Sequence, residues 1–315
     1  LLRAESPGPN VAKLVPRIRS TAGILYILYI VLTVVDFLLL IVGKMPVLEA
    51  VCTAFGTAGT GGFGVKNDSM ASYSPYIKNV CTVFMLLFGV NFSCYYLLIM
   101  KQVKELRLYV GMVLGSVLLI VINLRGFYGT FEETVRHAFF QVASIVTTTG
   151  FATTDFDLWP GFSKSILLCL MVVGACAGST GGGFKCGRLL LVFKSLRRNI
   201  QKMLRPQRIQ AVRSNKQVVS EKVLENTNAY LAAYVLIIMF SLLVTSIDGF
   251  SVGTNFSAVL ACFNNIGPGL ELVGPTCNFS IYSPLAKIVL IFDMLAGRLE
   301  IFPILILLSR DTWRR

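Results

Sequence analysis

Six long apolar segments run through this chain and decide its class before any motif is considered. They cover Thr21 to Gly43, Ile77 to Met100, Leu108 to Leu124, Ser165 to about Lys194, Ala229 to Ile247 and Pro284 to Leu308, the fourth being interrupted by glycines. Each is near the roughly 20 residues that a helix needs to cross about 30 Å of hydrocarbon. With 55% hydrophobic and 14% charged residues over 315 positions, a water-soluble domain of this size is excluded. Between the spans, the shorter and mildly apolar stretches Val47 to Thr57, Glu132 to Val146 and Gly253 to Phe263 suit re-entrant half-helices. Each runs into a loop of small, hydroxyl or amide residues around glycine: Thr57-Ala58-Gly59-Thr60-Gly61-Gly62-Phe63, Val146-Thr147-Thr148-Thr149-Gly150-Phe151 and Phe263-Asn264-Asn265-Ile266-Gly267-Pro268-Gly269. Three times over, the order is span, half-helix, glycine loop, span. The expected fold is an all-α polytopic membrane protein built from repeated units of this kind.

Charge sets the orientation. Of the net +13, eleven Lys and Arg lie between Lys185 and Lys222 against one acid, Glu221. Further basic clusters occur at Arg3, Lys13, Arg17 and Arg19, at Lys101, Lys104 and Arg107, and at Arg310, Arg314 and Arg315. With six crossings all four fall on one side, which the positive-inside rule assigns to the cytoplasm, so the glycine loops enter from outside. Basic flanks of this kind mark inner loops rather than a nucleic-acid surface. The eight cysteines form no CxxC pair, and neither a catalytic triad nor a paired-carboxylate motif is present. An enzyme is therefore not expected, nor a resident cofactor. The single histidine, His137, reads as an interfacial or capping residue.

Glycine, threonine and asparagine suit an ion pathway for a physical reason. A dehydrating cation must exchange its water shell for oxygen atoms at matching distance, and backbone carbonyls supply them. Carbonyls aimed into a pore demand backbone conformations costly for a residue with a Cβ, hence glycine. The hydroxyls of Thr60, Thr147, Thr148 and Thr149 either add oxygens or tie the loops to their support. Half-helices ending at the membrane centre point their partly negative ends there, which favours a cation. The alternative is a scaffold or membrane enzyme whose glycines pack helices. The break in the fourth span, Gly174, Gly178, Gly181, Gly182 and Gly183 with Ser179 and Thr180, cannot sustain a helix. It is not a phosphate loop, because Phe184 stands where lysine is required.

Together these residues carry a family resemblance. The runs 144–151 with Trp159-Pro160, 174–183 and Asn264 to Leu270, and Gly297-Arg298-Leu299-Glu300, resemble the potassium-translocating subunits of the Trk/Ktr/HKT superfamily, and within it the bacterial TrkH group. That resemblance implies four pore repeats around a pseudo-fourfold axis. The present units match the second (21–107, after a cytoplasmic lead-in 1–20), the third (108–222, with a basic cytoplasmic linker) and the fourth (223–315), the first being expected upstream. It further implies a potassium filter at Thr60, Gly61 and Gly62, at Thr148, Thr149 and Gly150, and at Asn265, Ile266 and Gly267. Beneath the filter it implies an intramembrane gate at 174–183, including Gly178, Ser179, Thr180, Gly181, Gly182 and Gly183, with Lys185 and Arg298 acting on it. Expected partners are the lipid bilayer of a bacterial inner membrane, a second copy in a homodimer, and a cytosolic nucleotide-binding regulatory subunit of TrkA type. Any nucleotide would sit in that subunit. A filter with Asn265 and Ile266 where another loop has Thr148 and Thr149 leaves open a less selective channel or symporter that admits sodium. Asp293 is read as pairing with Lys185 or Arg298 or as protonated, and Asp36 has no assigned role.

Overall fold

The structure is a computed structural model that describes residues 18–92, 95, 104–205, 211–214, 217–308 and 313. Its first unit consists of α1 (Ile18–Val42), the short α2 (Val47–Ala58) and α3 (Pro75–Gly89). The second has α4 (Lys104–Asn123), the short α5 (Phe131–Val146) and a broken outgoing leg, α6 (Gly161–Val173) and α7 (Cys186–Leu204). The third repeats the order with α8 (Glu221–Thr245), α9 (Val252–Phe263), α10 (Pro284–Arg298) and α11 (Ile301–Leu308). A small antiparallel hairpin, β1 (Arg213–Ser214) with β2 (Gln217–Val218), links α7 to α8.

Local signals explain where these helices start. Thr130 and Ser251 begin α5 and α9 by accepting hydrogen bonds from the amides of Glu133 (3.2 Å) and Thr254 (3.0 Å). Such caps satisfy amides that the first helical turn leaves free. Ser74 and Ser283 do the same for α3 and α10, and the proline that follows each has no amide to satisfy. Glu49, Glu132 and Glu133 place negative charge in the first turns of α2 and α5.

Burial sorts the helices by role. The long helices α1, α4 and α8 are apolar and long enough to cross a membrane, and they expose Ile27, Val31, Leu38, Leu114, Leu118, Leu236 and Leu243. The half-helices form the interior and are lined with small residues: Ala50, Ala54 and Ala58 on α2, Ala138 and Ala143 on α5, Ala258 and Ala261 on α9. Side chains of one unit complete the core of the one before it. Phe140 and Phe151 of the second unit pack with Leu40, Met45 and Met85 of the first. Ile266 of the third packs with Tyr109, Ile120 and Trp159 of the second.

Two spans are more broken than the sequence indicates. The second apolar segment is not one helix, because α3 stops at Gly89 and Val90 is extended. A Cβ on Gly89 would stand 2.5 Å from Tyr109 Oη and 2.6 Å from Thr147 Cγ2, so the close approach of α4 and α5 fixes glycine there. The sixth segment breaks at Leu299–Glu300, where Glu300 takes φ +69°. All three outgoing legs are thus interrupted, whereas hydropathy shows only the glycine-rich one. His137 also departs from expectation: it is buried, stacks on Tyr128 at 5.0 Å and shares a 2.9 Å hydrogen bond with Thr153 Oγ1, and Thr130 is the cap.

Gly297 tests this packing. A Cβ there would meet Phe263 O at 1.6 Å, a backbone atom that no rotamer change can move. Gly297→Ala is expected to lower stability by roughly 3 kcal/mol or more, within the range of overpacking and backbone shifts. The thermal midpoint of detergent-solubilised protein reads it, and an unchanged midpoint would contradict the close approach of α10 to α9.

Candidate functional site

The three glycine loops share one backbone geometry. Each half-helix ends on a residue near φ −85°, ψ 0° (Gly59, Thr147, Asn264). The next residue is left-handed in every case, Thr60 at φ +50°, Thr148 at +57° and Asn265 at +56°, and two residues further a glycine is positive again, Gly62 at +66°, Gly150 at +90° and Gly267 at +103°. A non-glycine residue in that region costs of order 1 kcal/mol or more and persists only where its surroundings hold it. Here the same bonds hold all three. Thr60 N–H donates to Thr57 O and Gly61 N–H to Gly56 O; the matching pairs are Thr148 to Ile145 with Thr149 to Ser144, and Asn265 to Cys262 with Ile266 to Ala261, at 2.8–3.2 Å.

The loops then stack in sequence. A Cβ on Gly62 would lie 1.8 Å from Thr149 O, and one on Gly150 would lie 2.0 Å from Ile266 O. Glycine therefore lets each loop reach the carbonyl of the next. Gly267 occupies the same place in the third loop and meets no atom within 4 Å among the described residues. The nine residues singled out in the sequence come together at this one locus. Their hydroxyls serve as ties: Thr60 Oγ1 donates to Gly59 O (2.8 Å), and the hydroxyls of Thr147 and Thr149 bond each other at 2.8 Å. Asn264 and Asn265 do the same for the third loop, the first with Tyr234 Oη at 3.0 Å, the second donating to Met294 O at 3.2 Å.

The connector Gly174–Gly183 lies against the underside of all three loops. Thr60 Oγ1 lies 3.0 Å from Thr180 O, a second acceptor for its one proton, and Thr148 Oγ1 accepts from Gly182 N–H (2.6 Å). A Cβ on Gly181 would meet Thr147 O at 2.8 Å, and one on Gly182 would meet Asn264 O at 2.4 Å. Its neck is pinched where Gly174 and Gly183, both at positive φ, pack backbone to backbone. Gly178 and Ser179 sit at its outer bend, beside Asn91 and with Ser179 Oγ donating to Cys176 O (2.7 Å).

Two cations hold the connector from below. Arg298 Nη1 donates to Thr180 O at 2.9 Å, and Lys185 Nζ donates to Gly181 O. Arg298 therefore reaches the connector rather than turning away along the helix. Sequence reasoning missed Glu105, whose carboxylate accepts from Ala177 N–H at 2.8 Å and anchors the root of the connector. A lone acid within an inner basic cluster was the available signal. It also missed the ion pair Arg188–Glu300. Of the two readings of Asp293, the pairing with Lys185 or Arg298 is not formed: the carboxylate accepts from Ser241 Oγ at 2.8 Å instead. Neither carboxylate oxygen of the fully buried Asp36 has a hydrogen-bond partner among the described residues.

Known proteins share this sequence and architecture. The family model for TrkH, described as a cation transport protein, matches residues 2–125 and 129–313. The chain belongs to the TrkH family. It is 37% identical over 328 residues to the Trk system potassium uptake protein TrkH of Salmonella typhimurium, matching all of this chain and 67% of that protein. Against the Trk system potassium uptake protein TrkG of Escherichia coli K12 it is 32% identical, covering 66% of that protein. The crystal structure of the potassium transporter TrkH from Vibrio parahaemolyticus superposes with a TM-score of 0.86 at 32% identity, over 96% of this chain and 67% of that one. Such a likeness confirms the polytopic helical membrane fold.

Outside the loops, this TrkH-family chain carries an acidic rim. Asp157 Oδ1 accepts from Glu271 N–H (3.1 Å), and Lys164 Nζ donates to Asp157 O (3.0 Å). The Glu271 carboxylate accepts from the hydroxyls of Ser251 and Thr254 at the start of α9, and these bonds hold it below the usual carboxylate range. A depressed folded pKa contributes stability that is full above the ordinary value of 4.5 and lost as the pH falls through the folded value. Glu271→Gln is therefore expected to lower the thermal midpoint at pH 7, with the difference from wild type vanishing at low pH. A constant difference across the titration would remove Glu271 from the acid response.

Proposed function

We propose that this chain forms part of a potassium uptake pore of the bacterial cytoplasmic membrane, gated from within. The observation that carries this reading is the threefold recurrence of a left-handed Thr or Asn followed two residues later by a positive-φ glycine, each loop stacked on the carbonyl of the next. Filter oxygens come from the backbone of Thr60, Gly61 and Gly62, of Thr148, Thr149 and Gly150, and of Asn265, Ile266 and Gly267. Alternating left- and right-handed conformations turn successive carbonyls to one side, and the ends of α2, α5 and α9 add negative potential there. Three pore units of the chain, 21–107, 108–222 and 223–315, supply three walls. In this reading a fourth unit of the same kind closes the ring, and the curated relatives, of which this chain matches 67%, are long enough to carry one.

The connector Gly174–Gly183 is the gate in this reading. On that reading Gly181 and Gly182 close the path, which is supported by their nearness to two loops: a Cβ on the first would stand 2.8 Å from Thr147 O and one on the second 2.4 Å from Asn264 O. Arg298 and Lys185 hold it and place positive charge in the path, which raises the barrier to a cation. The names of the relatives, potassium uptake proteins of Trk systems, support potassium as cargo and further Trk components as partners. We assign a homodimer, and a nucleotide-binding subunit of TrkA type docked on the basic face of α7 and its linker. The nucleotide belongs to that subunit. A more permissive pathway for sodium draws its support from the unlike third loop, Asn265 and Ile266.

Rubidium uptake into liposomes containing the full-length protein tests the assignment. Wild type is expected to take up rubidium, potassium to compete and sodium to compete less. Gly150→Asp should abolish uptake, since any Cβ at Gly150 would stand 2.0 Å from Ile266 O. Equal competition by sodium would establish the permissive pathway, and uptake surviving in the variant would move the filter elsewhere.

A further inference from the structure

The ion pair below the connector is unused by the function just described. Arg188 lies in the first turns of α7, three residues beyond Lys185, and Glu300 sits at the break after α10, two residues beyond Arg298. Arg188 Nη2 donates to Glu300 Oε2 at 2.5 Å, and both side chains are buried. The Arg188 guanidinium lies 3.8 Å from the centre of the Tyr230 ring. Glu300, Arg188 and Arg298 all act electrostatically on Lys185. One carboxylate thus stands among three cations, two of which hold the connector directly. Glu300 keeps φ +69°, a conformation that a non-glycine residue holds only where its contacts impose it.

We propose that Glu300 is a positioning residue for the gate. Its pair with Arg188 locks the start of α7 to the break of α10 and so holds Lys185 and Arg298 in register beneath Gly181 and Thr180. Because the two latches sit on different legs, neither keeps its place when the legs separate. The joint makes them release together when α7 is displaced. Beyond the joint, α7 is built to receive such a displacement, since it carries Arg197, Arg198 and Lys202, and Arg198 pairs with Glu221 of α8. A load applied to its basic end is delivered to both latches at once. Loss of the carboxylate leaves the buried Arg188 without its partner, which favours separation of the two legs.

The proposal rests on the reading of 174–183 as a gate, and the experiment separates the two. Single-channel currents are recorded from the full-length protein in planar bilayers, with thermal midpoints as a check on folding. Glu300→Gln is expected to raise the open fraction several-fold while leaving conductance and the potassium-to-sodium ratio at wild-type values. Glu300→Asp keeps the charge and should restore part of the closed fraction. Breaking a buried pair from one side can unfold a protein, whereas an apolar replacement of both partners is often tolerated. The double variant Arg188→Met with Glu300→Met therefore should fold and still show the raised open fraction. Folded variants with a wild-type open fraction would overturn the joint and leave the gate intact. Altered conductance would place Glu300 in permeation instead. A wild type that conducts no cation would overturn the pore reading and the joint with it.

Discussion

Everything at the centre of this structure depends on backbone reaching backbone where no Cβ intervenes. The three glycines at 62, 150 and 267 carry positive φ, and the first two stand against the carbonyl of the neighbouring loop. The left-handed residues before them, Thr60, Thr148 and Asn265, store strain that only a rigid surround maintains. That surround is the set of half-helices, with small alanines facing inward and core side chains shared across unit boundaries. The long apolar helices insulate the assembly from lipid, and lipid in turn forbids any unsatisfied loop on the outside.

Below the loops the governing interaction changes from sterics to charge. Carbonyl oxygens of Thr180 and Gly181 accept hydrogen bonds from cations, and each is contacted from a different leg. A charged donor to a carbonyl forms a stronger bond than a neutral one, and it strengthens further away from solvent. The connector is thereby fixed by a few concentrated contacts. Its own glycines supply almost no side-chain packing to add to them.

Much of this was legible in the sequence because it follows from spacing. The half-helices at 47–58, 131–146 and 252–263 lie within a residue or two of the expected stretches, since each is bounded by a cap or a proline on one side and a glycine loop on the other. The nine loop residues meet because three repeats place them alike. What stayed hidden was contact across the chain. Nothing near Glu105 indicates that it anchors Ala177, 72 positions away, and nothing near Glu300 points to Arg188, 112 positions away. The breaks after Gly89 and Arg298 escaped because apolar composition reports immersion in lipid, not helix continuity. The partners of His137 and Asp293 escaped for the same reason: Thr153 with Tyr128, and Ser241, are set by packing.

The stacking of the loops also has a direction. Gly62 bears on Thr149 and Gly150 on Ile266, and neither contact is reciprocated, so the interface is head-to-tail rather than twofold. Head-to-tail contacts propagate a single rotation and end only when the circuit closes. A chain that repeats one such contact twice has already fixed that rotation. The sense of rotation from loop to loop is therefore a property of single glycine-to-carbonyl encounters, and a displaced loop transmits its error to the neighbour it leans on.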